Sequence, residues 1–134
     1  MKLKLQIVRD GEVIFQMPLS LTDWPKKQLE DELDSFEEEF QRFSKLFNAL
    51  SNVNRLMMMK QVMEREDHTA NFTDFMRELD LNPKLVRDNT RKLSEGGLLE
   101  KTGRGRYRCS EFGESSVIML SLALRRLMET FEEF

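Results

Sequence analysis

Eight basic side chains crowd into one stretch, at Lys84, Arg87, Arg91, Lys92, Lys101, Arg104, Arg106 and Arg108. Steps of three and four place Lys84, Arg87 and Arg91 on a single strip of a helix. An arginine so placed can grip guanine through two hydrogen bonds, and Arg87 is the first choice for that role. Asp88 lies beside it on the same outward side. Lys84, Arg91 and Lys92 suit phosphate oxygens. Arg104 stands between Gly103 and Gly105, which allow a sharp turn and close backbone approach. A cation at such a tip suits the enhanced negative potential of a minor groove. Lys101, Arg106 and Arg108 flank it. The whole chain has net charge −3, which by itself disfavours nucleic acid. Residues 83–109 carry +5, however, and an acidic body with one basic face can still bind and orient on phosphates.

Other chemistries find less support. The chain has one histidine, His68, so no Ser-His-Asp set forms readily. His68 lies near Glu64, Glu66 and Asp67, and a solvated loop explains this group better than a metal site does. Met57, Met58 and Met59 point in different directions on a helix, so they read as adaptable core packing. Cys109 cannot form an internal disulfide, and a buried inert thiol is its expected state. No phosphate-cradling glycine loop joins a strand to a helix, because Gly103-Arg104-Gly105 joins two strands. The expectation is no enzyme, no metal and no cofactor. No apolar run approaches the ~20 residues of a membrane span, and Met1 to Val13 lacks the pattern of a secretory signal. A reducing, cytoplasmic setting is expected.

The elements that must hold these residues can be read from the pattern. Residues 1–22 form a hairpin: Leu3, Leu5 and Ile7 alternate, Asp10-Gly11 signals a type I′ turn, and Phe15, Met17 and Leu19 resume the alternation. A helix then starts near Thr22 or Asp23, with Pro25 in its first turn. Leu29, Leu33, Phe36, Phe40, Phe43, Phe47 and Leu50 form a strict heptad seam, predicting one long helix over 23–50. Its outer face carries Glu30, Asp31, Glu32, Asp34, Glu37, Glu38 and Glu39. A second helix spans about 53–65, and 66–71 is a polar connector. A short helix over 72–79 leads to the turn Asp80-Leu81-Asn82, with Asn82 capping and Pro83 opening the next helix. That helix stops at Gly96-Gly97. On it Val86 and Leu93 face the core with Thr90 between them. Strands 98–102 and 106–109 make a second hairpin, and Ser110 caps a last helix. Val117, Leu120, Leu124, Leu127, Phe131 and Phe134 give that helix its own heptad seam.

Helix, short turn, helix and hairpin is the winged helix-turn-helix order. The fold expected is mainly α with small β-hairpins. It is a single domain over 1–134, with a winged core at 53–113 and dimerisation helices at 23–50 and 114–134. The segment LFNALSNVNRL at 46–56 resembles the opening of ArsR-like winged-helix regulators. The stretch from Asn71 to Gly113 is similar to their helix-turn-helix and wing. This resemblance covers about residues 45–115 and implies a homodimeric transcription factor on a palindromic operator. Asn89 and Thr90 stand where that family often has His-Leu, so a hydroxyl occupies an expected core position. The Cys-x-Cys pair of the metal-sensing branch is missing, which argues against metal sensing.

The resemblance also implies a dimer built from the first and last helices, where the two seams lie. Its expected interface is Leu29, Leu33, Phe36, Phe40, Val117, Leu120, Leu124, Leu127 and Phe131. The function expected is a dimeric, DNA-binding repressor. The alternative is a winged-helix adaptor that binds protein and no specific DNA.

Overall fold

The computed structural model describes residues 2–133. It is mainly helical with two small antiparallel sheets. The chain divides into two compact units, the first ending at Phe40 and the second beginning at Gln41. Phe134, the last residue of the C-terminal seam, lies outside the described residues.

In the first unit β1 (Lys4–Arg9) pairs with β2 (Glu12–Pro18). Asp10 and Gly11 both take positive φ, 52° and 83°, as a type I′ turn requires. Ile7 pairs with Phe15 and Val8 with Val13, so Ile14 is the extra residue of a bulge. Trp24 ties the end of the hairpin down by donating from Nε1 to the Pro18 carbonyl at 2.9 Å. The helix expected from Thr22 or Asp23 begins later. Residues 21–23 form a 3-10 turn, and α1 runs Lys26–Glu38 after Pro25.

The single helix expected over 23–50 is interrupted. Glu39 leaves helical geometry (φ −109°, ψ 14°), and α2 (Phe40–Leu50) starts after it. Three consecutive glutamates at 37–39 explain the stop. Like charges one turn from the negative end of a helix dipole destabilise that end. Phe40 returns to meet Phe36 edge-to-face, with ring centroids 4.9 Å apart.

The second unit continues with α3 (Val53–Glu64), β3 (Thr69–Asn71), α4 (Phe72–Leu79) and α5 (Pro83–Glu95). Strands β4 (Leu99–Gly103) and β5 (Arg106–Cys109) follow, then α6 (Glu111–Val117). A π-helical turn over Ile118–Ala123 leads to α7 (Leu124–Glu132). The connector expected at 66–71 contains β3, which makes β5 the centre of a three-stranded sheet ordered β3-β5-β4. The core gathers Ala49, Met58, Met59, Val62, Phe75, Val86, Leu93 and Leu98, all fully buried. Met58 and Met59 thus serve packing, while Met57 is exposed.

Thr90 fits this core without an orphaned hydroxyl. Its Oγ1 donates to the Val86 carbonyl at 2.8 Å, one turn back on its own helix.

The last helix departs from its expected seam. A π turn repeats after five residues rather than four, so the α-helical heptad loses register there. Val117 is buried and Leu120 and Leu127 are half-buried. Leu124 and Phe131 are exposed, and they align with Met119 and Met128 instead. Ser121 stabilises the wide turn by donating its hydroxyl to the Val117 carbonyl.

Candidate nucleic-acid interface

Helix α5 owes its placement to both ends. Asp80 takes the left-handed conformation (φ 52°) that ends α4. Two residues later Asn82 caps α5, its Oδ1 accepting from the Leu85 amide at 2.9 Å. Pro83 opens the helix, where its lost N–H is harmless. At the far end Gly97 supplies φ +78°. An added Cβ on Gly96 would come within 2.9 Å of the Ala49 Cβ, so α5 can approach α2 this closely only with glycine there.

The inner face of α5 is fixed by a contact no sequence pattern announced. Arg55, on α3, is buried at 5 % exposure. Its Nη1 donates to the Asn89 Oδ1 at 2.9 Å. Its Nε donates to the Ala49 carbonyl at 2.9 Å and its Nη2 to the Asn48 carbonyl at 2.8 Å. Those two carbonyls lie at the C-terminal end of α2, where the helix dipole favours a cation. One guanidinium thus joins α2, α3 and α5. The polar Asn89, facing inward beside Thr90, has its reason here. The sequence carries only the cue that Arg55 and Asn89 are polar residues on helices with largely apolar inner faces.

The outer face of α5 presents Lys84, Leu85, Arg87 and Arg91 to solvent, with Asp88 and Lys92 half-exposed at its edges. Arg91 is shared between Asp88 at 3.8 Å and Glu95 at 3.9 Å. On the hairpin, Lys101, Arg104, Arg106 and Arg108 are exposed. Arg108 bonds Glu100 directly across the strands at 2.7 Å, and that carboxylate raises the guanidinium pKa above its ordinary value. The acids of this stretch are thus spent on Arg91 and Arg108. Among the described residues Lys84, Arg87, Lys92, Lys101, Arg104 and Arg106 make no ion pair.

The hairpin tip is braced. The Phe72 amide, at the start of α4, donates to the Gly105 carbonyl at 2.7 Å. Gly105 has φ +66°, so it needs glycine on its own account. Behind the hairpin, Tyr107 turns inward against Phe75, with ring centroids 6.3 Å apart. The base of the hairpin is held by Ser110, whose hydroxyl donates to the Gly97 carbonyl at 2.6 Å and accepts from the Gly113 amide at 2.8 Å. Gly113 is forced, since a Cβ there would collide with the Leu98 carbonyl.

Two further candidates from the sequence are Cys109 and His68. Cys109 is buried, and burial, followed by the carboxylates of Glu114 and Glu100, pushes its thiol up to about 11. His68 Nδ1 lies 3.8 Å from Glu114, on the surface. Among the described residues no group of three or more His, Cys, Asp or Glu is placed to hold a metal ion, and no helix is long and apolar enough to cross a membrane. No family model matches the chain, and no curated protein shows significant similarity to it.

Proposed function

We propose that the chain is a winged helix-turn-helix regulator of transcription that binds duplex DNA. In this reading α5 enters the major groove, α4 braces it, and the β4–β5 hairpin is the wing. The observation that carries it is the division of charge. Six cations that make no ion pair among the described residues lie on the outer face of α5 and on the hairpin, in a chain of net charge −3. A protein that needed only solubility would gain nothing from segregating them.

Each residue then has a role. Arg87 reads a guanine, and exposed Leu85 offers apolar contact to a thymine methyl group. Lys84, Arg91 and Lys92 hold phosphates, and Arg104 reaches a minor groove from the wing tip. The ArsR-like motif residues at 46–56 and 71–113 support the same assignment. Two copies would read a palindrome with half-sites one turn, about 34 Å, apart, and occupancy of that site would repress the promoter.

Selection of the full chain on random duplexes tests this. The expected result is enrichment of a two-fold symmetric motif. Arg87→Ala should relax preference at one position in each half, at a cost of about 1–3 kcal/mol. Recovery of no motif would remove sequence-specific regulation and favour the protein-binding adaptor.

A further inference from the structure

Helix α1 spans 13 residues and buries none of them. A helix that short is marginal in water by itself and is normally held by packing of its apolar face. That face is open here. Leu33, Phe36 and Phe40 are 51 %, 39 % and 52 % exposed. With half-buried Leu29 they keep heptad spacing, so they form one half of a helix-pair seam.

The residues beside the seam say what the other half must be. Positions flanking a heptad seam carry the charges that choose its partner. Here Glu30 and Glu37 flank it on one side and Glu32 on the other. Lys26 and Lys27 offset only Glu30 and Asp31, at 4.0 and 3.1 Å. Glu32 and Glu37 make no ion pair among the described residues. A seam walled by glutamate repels an identical seam, so a second α1 does not fit. The other helices of a second copy fit no better. Residues 124–133 carry two arginines and three glutamates, so they bring no excess of cations. Helix α5 has the cations, but Leu85 is its one exposed large apolar side chain among the described residues. Nucleic acid and anionic lipid are repelled by the same carboxylates.

We infer that α1 docks a helix of another protein, one with apolar residues at heptad spacing and lysine or arginine at the flanking positions. Leu33 and Phe36 pack between its apolar side chains, and Glu30, Glu32 and Glu37 pair with its cations. This docking belongs to the first unit and does not rest on DNA recognition by the second.

Fluorescence anisotropy of the full chain with a labelled synthetic peptide tests this without DNA. The peptide repeats a heptad with leucine along the seam and lysine at the flanks. A control peptide has the same composition in scrambled order. The heptad peptide is expected to bind at micromolar concentration in low salt, and the scrambled peptide roughly tenfold more weakly or worse. Glu32→Lys/Glu37→Lys should weaken the heptad peptide by roughly tenfold or more, because attraction becomes repulsion. Circular dichroism should show this variant folded, since both side chains are exposed. Leu33→Ser/Phe36→Ser should weaken binding as much with every charge kept. Equal binding of the scrambled peptide would reduce the site to charge attraction and overturn the inference. So would a heptad peptide that does not bind, or one whose binding survives Glu32→Lys/Glu37→Lys. Sedimentation equilibrium of the free chain covers the other occupant. A dimer that dissociates with Leu33→Ser/Phe36→Ser would place a second copy on α1 and overturn the inference as well. Failure to find a DNA motif would leave every one of these outcomes readable.

Discussion

At the scale of single residues, the polar atoms in the second unit's core are each placed by a bonded partner, near or far in sequence. Asn89 and Thr90 look like weaknesses in an apolar helix face, yet one accepts from Arg55 and the other bonds its own backbone. Local pattern placed Thr90 between two core positions and said nothing of where Asn89 faces. It did not show Arg55, because a contact across 34 residues leaves no periodic trace. Cys109 was expected as a buried inert thiol, and its environment gives a pH signature. An unfolded thiol ionises near 9.0, whereas the folded one holds its proton to about 11. Between those values the folded state binds more protons, so its stability falls as pH rises through the window and is untouched below it. The loss should total roughly 2–3 kcal/mol. Urea unfolding at pH 8, 9, 10 and 11 should show that slope in the wild type and lose it in Cys109→Ala. At pH 7.5 the native thiol should resist alkylation and react fully once unfolded. Equal labelling of native and unfolded chains would contradict a buried thiol.

At the scale of elements, caps and turns carried most of the legible information. Asp10-Gly11, Asn82-Pro83, Gly96-Gly97 and Ser110 each marked a boundary, since each residue type has few backbone conformations to choose from. Three features left weaker signals. Strand β3 has three residues, too few for alternation. The break at Glu39 falls inside an unbroken heptad seam and is announced only by its run of glutamates. The π turn preserves a helical pattern while shifting its face. What holds the elements together is more local than their seams suggest. Arg55→Ala would remove a donor from the Ala49 carbonyl and the Asn89 amide oxygen at the meeting of α2, α3 and α5, while the Asn48 carbonyl would keep its bonds from Ser51. The expected cost is about 3 kcal/mol, since each stranded buried acceptor loses both its partner and its water. Arg55→Lys should recover only part of it, because one ammonium cannot span three acceptors in a fixed fork. Urea denaturation measures both, and a loss below 1 kcal/mol for Arg55→Ala would show that these helices are held by apolar packing alone.

At the scale of the whole chain, charge is sorted by unit and by face, and no heptad or cap reports that sorting. The division after Phe40 is hidden by a seam that runs through it. The acidic helix α1 belongs to the first unit and the basic strip to the second. The basic strip attracts phosphates and the acidic helix repels them, each by its own local charge. Affinity for duplex DNA should therefore be far more sensitive to salt than the net charge of −3 suggests. Counterion release follows phosphates contacted, at about −0.9 in log K per log salt for each. If four or five of the six cations that make no ion pair among the described residues reach phosphates, one copy should give a slope near −4 and two copies near −8. Arg104→Ala/Arg106→Ala should lower the two-copy slope by roughly 2–4 and weaken all duplexes alike. Arg87→Ala should change the slope little and the sequence preference more, because a base contact releases no phosphate counterion. Titrations of a fluorescent duplex between 50 and 200 mM salt separate the two classes. A flat salt dependence would show that the strip and hairpin do not face phosphates, whatever their charge.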